Sequence, residues 1–352
     1  MNQTLRLSDA RFLLVLLLPA LTLLNVLTNP SVAAAWALAV WLLVAAVDSF
    51  LPGAKRSPGP SAQKPYFVWL LRLYVPLQIG LIAAGAWAAM HTAESDWWTV
   101  LGLAFAVGFV TGGQGITFAH ELGHSKNRID RALGWLLMGS VGYAHFMVEH
   151  YRGHHPRAAT FDDPASARRG ESLWRFFPRT VWGSWANAWR LESQRLQQRG
   201  KSWLHSPLLW CCVLNGALAL VLIAGAATKI IVFWLGQSLC AIWLLETVNY
   251  IEHYGLSRKV SPDGKREPFA MNHAWNADHV VSNSVLANLQ RHSDHHMHAW
   301  KPYATLQALP GPQLPTGYAG CLLLAAVPPV WFGLMHRRLD GMVCNDLETS
   351  SQ

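Results

Sequence analysis

Six apolar stretches, each long enough to cross a lipid bilayer, constrain the fold of this chain more than any other feature. They are residues 12–28, 32–51, 66–90, 97–118, 208–227 and 230–250. A helix of about 20 apolar residues spans the hydrocarbon core of a bilayer. Only 14% of the residues are charged, compared with roughly 25% in ordinary soluble domains. The sequence therefore predicts an all-α polytopic membrane protein with six transmembrane helices, paired as three hairpins.

Two further apolar runs are not expected to cross the membrane as straight helices. Residues 319–335 contain Pro328 and Pro329, and proline interrupts a helix. We expect this segment to lie in the membrane interface or to dip in and out, with a seventh span as the alternative. Residues 133–148 are too few to span at 1.5 Å per residue. They are predicted to form an interfacial or buried helix.

Basic residues are concentrated on one side of the predicted membrane topology. Residues 29–31 and 91–96 contain no Lys or Arg, and the turn before residue 230 contains only Lys229. The other side holds the two polar segments together with Arg6, Arg11, Lys55, Arg56 and Lys64. Lys and Arg accumulate in cytoplasmic loops, so both termini are predicted to be cytoplasmic, with the chain in the inner membrane. The net charge of +8 then reflects topology and contact with anionic lipid, and nucleic-acid binding is not implied.

The chain divides into four segments. Residues 1–118 carry the first four transmembrane helices, and residues 208–250 carry the fifth and sixth. Residues 119–207 and 251–352 form the cytoplasmic part, and the latter includes the interfacial hydrophobic segment. Because two spans separate the polar segments in sequence, we expect them to fold together beneath the bilayer.

Nine of the sixteen histidines fall in four tight groups, all on the basic side. The groups are His120 with His124; His150, His154 and His155; His253; and His292, His295 and His296. Helical residues three or four apart share a face, so His150 and His154, for example, are predicted to bind one ion. The adjacent histidines can reach a second ion. Nine imidazoles are too many for one ion, so the pattern predicts two metal centres.

Other polar residues near these groups are candidates to orient the imidazoles and to offset the positive charge of the ions. They are Glu121, Glu149, Glu252, Asp278, Asp294, His273 and His279. For each carboxylate, a role on a helix surface or as a helix cap is an equally good interpretation.

A competing motif is present at the first group. Residues 120–124 read HELGH, which matches the HExxH pattern of zinc proteases, where two histidines bind zinc and the glutamate is the general base. A catalytic zinc takes three protein ligands, so this interpretation leaves most of the other clustered histidines without a role. A membrane zinc metalloprotease is therefore kept only as the alternative from another class.

The histidine groups, with NYIEHYGL at residues 249–256 and LQRHSDHH at residues 289–296, resemble those of the integral-membrane alkane hydroxylases. These enzymes are a branch of the membrane fatty acid desaturase and hydroxylase superfamily. The resemblance covers residues 120–317. It implies a non-heme diiron centre held by the nine histidines, O2 as the oxidant and hydroxylation of the terminal carbon of an alkane. A membrane lipid desaturase or hydroxylase of the same superfamily is the alternative.

The resemblance also implies that rubredoxin and a rubredoxin reductase deliver the electrons. The five cysteines include no CxxC pair, so we expect free thiols here and a rubredoxin that is a separate protein. Basic side chains on the cytoplasmic side could bind an acidic carrier, although the positive-inside bias alone also accounts for them. The candidates are Arg157, Arg168, Arg169 and Lys201. The sequence does not indicate the oligomeric state.

The substrate is expected to come from the bilayer, since alkanes dissolve there. A channel between the spans would admit the alkane laterally, and its depth would select the chain length. Trp41 is the candidate for a bulky stop in this channel, with Trp36, Trp69 and Trp87 as competitors.

Overall fold

The computed structural model describes residues 7–51 and 65–350, with side chains from residue 9 to residue 342 within those ranges. Arg6, Lys55, Arg56, Lys64 and the side chain of Cys344 lie outside the described residues. The helices in chain order are α1 Leu14–Thr28, α2 Ala33–Phe50, α3 Pro65–Met90, α4 Trp97–Val110, α5 Ile116–His124, α6 Arg128–Ser140, α7 Phe146–Glu149, α8 His155–Arg157, α9 Leu173–Gln198, α10 Pro207–Ala224, α11 Thr228–His253, α12 Val280–Val285, α13 His292–Met297, α14 Tyr318–Ala325 and α15 Pro328–Ser350. In these described ranges the only β structure is two isolated bridges, so the all-α prediction is confirmed.

Six helical segments are long and apolar enough to cross a bilayer, as predicted. They are Asp9–Thr28, Pro30–Phe50, Pro65–Met90, Trp97–His124, Pro207–Ala224 and Thr228–His253. The segment formed by α11 packs most extensively against α4, and α1 packs against α3. The spans therefore form a bundle in which the fourth and sixth lie side by side.

The fourth and sixth spans continue past the ends predicted at residues 118 and 250. Trp97–His124 contains 28 residues and Thr228–His253 contains 26. At 1.5 Å per residue these helices are about 42 Å and about 39 Å long, whereas the hydrocarbon core is about 30 Å thick. Their last turns therefore project beyond the core, and these turns carry the first histidine pair and His253.

A π-helical turn, Thr111–Gly115, lies within the fourth span between α4 and α5. A Cβ atom on Gly112 would lie 2.6 Å from the Cα atom of Ala241 on α11, so only glycine permits this close approach. The Thr111 hydroxyl donates a hydrogen bond to the Gln237 side chain at 3.1 Å, which links the turn to α11. Turns of this kind are frequent at functional sites.

Residues 133–148 do not form the single helix that was predicted. The helix α6 ends at Ser140, and α7 begins only at Phe146. Between them Gly142 has a φ of +68°, a left-handed conformation that glycine adopts at little cost. The chain reverses in this turn, and His124 and His155, on either side of the segment, have ring centroids only 4.9 Å apart. Residues 133–148 therefore do not cross the membrane.

The seventh apolar run is bent, in agreement with the expected interruption. The helices α14 and α15 meet at an angle of 119°, and Pro328 is the first residue of α15. Tyr318 and Trp331 are fully buried in a cluster with Tyr250 of α11. Helices α14 and α15 therefore pack against the sixth span and do not form one straight crossing.

The polar contacts of the span ends distinguish the two ends of the bundle. At the end that carries the histidines, Asp48 near the end of α2 accepts a hydrogen bond from the Ser282 backbone N–H at 3.3 Å. At the other end, the Lys229 ammonium donates to the backbone carbonyls of Thr92 and Ala93 at 2.7 and 2.9 Å. The fourth and sixth spans run in the same direction, so their C-terminal turns place histidines at the same end.

Candidate metal centre

Nine histidines converge into two groups at one end of the bundle. The first group is His120, His124, His150, His155 and His295, and the second is His154, His253, His292 and His296. Within each group the candidate ligand atoms all lie within 4.8 Å of one another. These are the nine histidines selected from the sequence, so four distant parts of the chain contribute to one site.

The imidazoles in each group face one another through their Nε2 atoms. The Nε2 to Nε2 distances are 2.9 Å for His120 and His295, 3.2 Å for His120 and His124, 2.9 Å for His150 and His155, 3.2 Å for His154 and His296, 3.2 Å for His253 and His292, and 3.0 Å for His292 and His296. Two nitrogens bound at a right angle to one ion, each at about 2.1 Å, are about 3.0 Å apart. The spacing therefore fits nitrogens that share a metal ion.

Several of these imidazoles are held in the neutral form, which is the form that binds a metal. Burial, together with repulsion from neighbouring imidazoles, lowers the pKa of five of those outside the membrane spans well below the usual 6.5: His150, His155, His292, His295 and His296. A neutral imidazole has a lone pair on one ring nitrogen. Several lone pairs directed at one point are unfavourable without a cation between them, so the donor set fits bound metal.

In two of the histidines, a buried carboxylate contacts the opposite ring nitrogen, Nδ1. His154 Nδ1 donates to Asp163 at 2.8 Å, and His292 Nδ1 lies 3.2 Å from Glu252. Tyr318 donates to the same Glu252 carboxylate at 2.6 Å. At His154 the hydrogen bond fixes a proton on Nδ1 and leaves the lone pair on Nε2, where a metal would bind, whereas Glu252 contacts His292 without a hydrogen bond.

A second π-helical turn determines which histidines share a group. It covers His150–His154, between α7 and α8. Because π-helical hydrogen bonds connect residues five apart, His150 meets His155, and His154 joins the other group. The i, i+4 spacing predicted a shared ion for His150 and His154, and the structure separates them.

The other candidate residues of the first two groups have different surroundings. Glu121 lies 3.6 Å from Nδ1 of His120. Glu149 accepts hydrogen bonds from Arg157 at 3.0 Å and from Asn187. Burial raises the pKa of Glu149 to about 7, although Arg157 and Asn187 oppose this shift. Glu121 therefore lies beside the His120 ring without a hydrogen bond to it, whereas Glu149 braces the backbone segment that carries three imidazoles.

The two aspartates near the last histidine group bind basic side chains. Asp278 accepts a hydrogen bond from Arg291 at 3.3 Å. Asp294 accepts from His298 at 2.8 Å and from Lys301 at 2.7 Å. These contacts fix the loops on both sides of α13, and so they support the histidines of that helix through the backbone.

The two further histidines act differently from the prediction that their rings orient ligands. The backbone carbonyl of His273 accepts the hydrogen bond from His253 Nδ1 at 3.3 Å, while the His273 ring contacts Glu267 at 3.0 Å. His279 precedes α12, and its carbonyl accepts the Asn283 N–H at 3.0 Å. In both residues the backbone carbonyl, and not the imidazole, makes the contact with the neighbouring helix.

An apolar cavity connects the interior of the bundle with the histidines. Trp41 and Phe109, from the second and fourth spans, form part of its wall. His120, His150 and His292 also line it. His120 and His150 belong to the first group and His292 belongs to the second. The cavity therefore reaches the boundary between the two candidate metal groups.

Trp41 lines this cavity, as expected for a stop in a substrate channel. Its side chain is 6% exposed, and its indole N–H donates to the Ala319 carbonyl at 2.9 Å. The competing tryptophans are elsewhere: Trp69 and Trp87 are 55% and 53% exposed. The Trp36 indole donates to a threonine of α1 at 3.4 Å. None of these three is among the residues that line the cavity.

Two buried carboxylates at the site were missed by the sequence analysis. Asp163 lies in the loop between α8 and α9, where no helical spacing relates it to His154. Glu246, on α11, is 1% exposed and accepts hydrogen bonds from Tyr143 at 2.7 Å and Thr180 at 2.8 Å. An ionisable residue inside an apolar span is itself a signal of function, and that signal could have identified Glu246.

The comparisons with known protein families and with individual proteins agree with one another. Residues 95–320 match the family model described as fatty acid desaturase. Alkane 1-monooxygenase 2 of Pseudomonas aeruginosa is 38% identical over 316 residues, which cover 85% of this chain and 84% of that protein. The alkane 1-monooxygenase of Ectopseudomonas oleovorans is 42% identical over 270 residues, 76% of this chain and 67% of that protein. The hydroxylase component of a xylene/toluene monooxygenase from Pseudomonas putida is 27% identical over 290 residues, 79% and 76% of the two chains.

Proposed function

The chain belongs to the fatty acid desaturase family and groups within it with the alkane 1-monooxygenases, and from that premise we propose that it hydroxylates the terminal carbon of alkanes with O2. The resemblance inferred from the histidine groups is confirmed at the level of the family. One structural observation carries most of the proposal. An apolar cavity that reaches into the membrane bundle is bordered by imidazoles of both candidate metal groups.

The cofactor in this proposal is a pair of iron ions, one held by each histidine group. Bound iron would supply the reduction of O2 and the attack on the C–H bond. The chain holds the ligand nitrogens together, keeps several imidazoles neutral through burial and orients His154 through a hydrogen bond to Asp163. The donor set consists of neutral nitrogen atoms, which suit iron among other transition metals.

The cavity supports an alkane as the substrate because its wall offers mostly hydrocarbon side chains. Leu18, Val44 and Leu244 contribute to it from three different spans. An alkane dissolved in the bilayer would exchange one apolar environment for another, so recognition depends on shape and length. A chain that extends from the region of Trp41 to the histidines presents its end carbon to them.

Replacing Trp41 with serine is expected to shift product formation towards longer alkanes. The substitution removes a buried indole from the cavity wall. Longer chains that the indole excludes by steric contact can then enter, so the yield from longer alkanes should rise relative to that from shorter ones. The measurement is the alcohol yield over a ladder of linear alkanes for the variant and the unmodified protein.

The matched control is Trp69→Ser, because Trp69 is 55% exposed and does not line the cavity. This variant should retain the original chain-length profile. If Trp41→Ser also retains it, Trp41 does not limit the substrate.

Asp163→Asn is expected to weaken metal binding in the second group by about 10- to 100-fold, the usual effect of removing such a partner. Burial opposes ionisation of Asp163, but hydrogen bonds from His154 and Ser166 outweigh it and hold its pKa below the usual value. The asparagine keeps the shape but loses the charge that fixes the proton on His154 Nδ1. Iron affinity measured by competition with a calibrated chelator tests this.

The neighbouring residue offers a control for this experiment. Asp162 is exposed and pairs with Arg266 at 2.7 Å. Asp162→Asn removes the same charge one residue away and should leave iron affinity unchanged. Equal affinities for the two variants would show that Asp163 does not support the centre.

Electrons in this proposal come from rubredoxin and a rubredoxin reductase, which are separate proteins. The four cysteines with described side chains are free thiols. Of the basic candidates for docking, Arg157 bonds to Glu149 and is half-buried, and Arg169 pairs with Asp340 at 2.7 Å. Arg168 and Lys201 are exposed and are the better candidates to meet an acidic carrier.

The same proposal includes the orientation in the membrane. The histidine end of the bundle carries Arg128, Arg157 and Arg168, whereas the opposite end carries Lys229. Following the positive-inside rule, the histidine end faces the cytoplasm and the chain lies in the inner membrane with both termini on the cytoplasmic side.

The decisive experiment is oxidation of a ladder of alkanes by cells that co-express this chain with rubredoxin and its reductase, under isotopically labelled O2. We expect primary alcohols that carry the label. Alkene products would indicate a desaturase, and product formation without O2 would contradict an oxygenase. Cells that express the two electron-transfer proteins alone provide the blank.

A further inference from the structure

The proposed reaction requires electrons from outside the chain. In the balanced reaction, RH + O2 + 2 e⁻ + 2 H⁺ gives ROH + H2O, so two electrons must reach the metal centre in each turnover. The cysteines with described side chains are free thiols. A separate carrier must therefore bring the electrons to the histidine groups. The following inference rests on the proposed function, because it asks where that carrier docks.

Phe269 links the surface at the histidine end of the bundle to a candidate metal ligand. Its ring stacks on that of His296, with a centroid distance of 4.7 Å and 25° between the two planes. Phe269 and His296 are both partly exposed, whereas His253 of the same group is fully buried. Electron tunnelling weakens steeply with distance, and it weakens more across a gap than across packed atoms. The two stacked rings therefore form a short, filled path from the surface to the second histidine group.

A short turn that precedes Phe269 in the chain carries an excess of positive charge. An antiparallel bridge joins Val260 to Arg266 and closes this turn. Residues 258–267 contain four basic and two acidic residues. The basic side chains exposed on the turn are Lys259, Lys265 and Arg266. The turn therefore presents a basic surface to a partner.

The loop between α8 and α9 extends this basic surface. Arg266 pairs with Asp162 of that loop at 2.7 Å, so the turn and the loop are adjacent. Phe161 is 72% exposed, and the Arg168 guanidinium lies 5.5 Å from the centre of its ring. Aromatic residues and arginine are enriched in protein interfaces. The docking surface is defined here as Phe161, Arg168, Lys259, Lys265, Arg266 and Phe269.

The composition of the docking surface fits an acidic protein that binds transiently. Complexes that transfer electrons have small interfaces, and charges at the rim of an interface steer the encounter between partners of opposite sign. The docking surface combines exposed aromatic rings with basic side chains around them. Anionic lipid would also attract the basic side chains, but it would make no use of an aromatic path that ends on a metal ligand.

We propose that an acidic one-electron carrier protein docks on this surface and that its electrons enter the second histidine group through Phe269 and His296. In each encounter the carrier is oxidised by one electron and the iron of the second group is reduced by one, so two encounters supply one turnover. No covalent bond forms or breaks in this step. Of the two exposed basic candidates named above, Arg168 belongs to the docking surface and Lys201 does not.

The double substitution Lys259→Glu with Lys265→Glu tests the docking surface, because it reverses two exposed charges and leaves every histidine in place. Rubredoxin, the carrier of the proposed function, is titrated onto the zinc-loaded protein, where binding occurs without turnover. We expect its affinity to fall by about 10-fold at low salt. The difference should shrink at high salt, which screens exposed charges. Lys201→Glu is the matched control and should bind rubredoxin as the unmodified protein does.

Phe269→Leu tests the electron path, because leucine keeps an apolar side chain but removes the ring that stacks on His296. Oxidation of reduced rubredoxin by the iron-loaded protein, followed by rapid mixing without O2, should become several-fold slower. The dissociation constant of rubredoxin and the iron content should stay at the unmodified level. Phe269→Tyr keeps the ring and should keep the rate, whereas a purely structural role of Phe269 predicts that iron is lost.

Equal affinities of rubredoxin for the unmodified protein and the double variant would overturn the docking surface and assign these lysines to contact with lipid. An unchanged rate in Phe269→Leu, or a slower rate that accompanies loss of iron, would overturn the electron path. The binding experiment needs no turnover. If the unmodified protein binds rubredoxin through this surface but forms no alcohol, the proposed function fails and the docking surface stands, so the two failures are distinguishable.

Discussion

Replacing His253 with alanine should reduce alcohol formation to background and leave about one iron per chain. His253 is fully buried at the end of α11, and its Nε2 atom lies 3.2 Å from that of His292. It belongs to the group of four, so its removal leaves only three imidazoles for the second ion. The group of five is untouched and should retain its metal. Iron analysis of the purified protein, together with product analysis, measures both effects.

His273→Ala is the control for this prediction. The His273 ring contacts Glu267, whereas its backbone carbonyl accepts the hydrogen bond from His253. Alanine preserves that carbonyl, so two irons and most of the activity should remain. A His253→Ala protein that still binds two irons and forms alcohol would contradict the assignment of His253 as a ligand.

The transmembrane part of the fold could be predicted because apolar length alone determines it. The ends of the spans could not, because the pattern of apolar residues reports only the hydrocarbon core. The fourth and sixth spans remain helical beyond that core, up to His124 and His253. Polar residues in those last turns, such as Glu121, appear in sequence as the start of a loop.

The nine histidines could be identified because their spacing is local, whereas their division between two groups could not. The division depends on the π-helical turn His150–His154, which places His155 and not His154 beside His150. The spacing of histidines in the sequence does not show that a helical turn contains one extra residue. Asp163 was missed for a related reason, because it reaches His154 from a loop whose path depends on tertiary structure.

The wall of the apolar cavity could likewise be predicted only in part. Trp41 could be selected because a large side chain within a span is a natural obstacle to a substrate. Its hydrogen bond to Ala319 on α14 joins residues that are far apart in the chain. The part of the wall formed by Tyr318 and Leu322 was therefore not predicted, although α14 closes that side of the cavity.

Removing the metal with a chelator should abolish oxidation completely, and ferrous iron, but not zinc, should restore it. Imidazole groups bind both ions, so zinc is expected to occupy the site. Zinc has no redox chemistry and cannot support reduction of O2. The measurement is alcohol formation by the chelated protein after addition of each metal, with metal content determined for every sample.

This experiment also separates the proposed oxygenase from the zinc protease suggested by residues 120–124. In a zinc protease the glutamate of HExxH is the general base for a metal-bound water. Here Glu121 lies 3.6 Å from Nδ1 of His120, behind the ring and away from the Nε2 atom that faces the other imidazoles. The carboxylate is thus not placed to activate water at the ion. Zinc-restored hydrolysis of a peptide without O2 would reverse this conclusion, whereas alcohol formation restored by iron alone would support it.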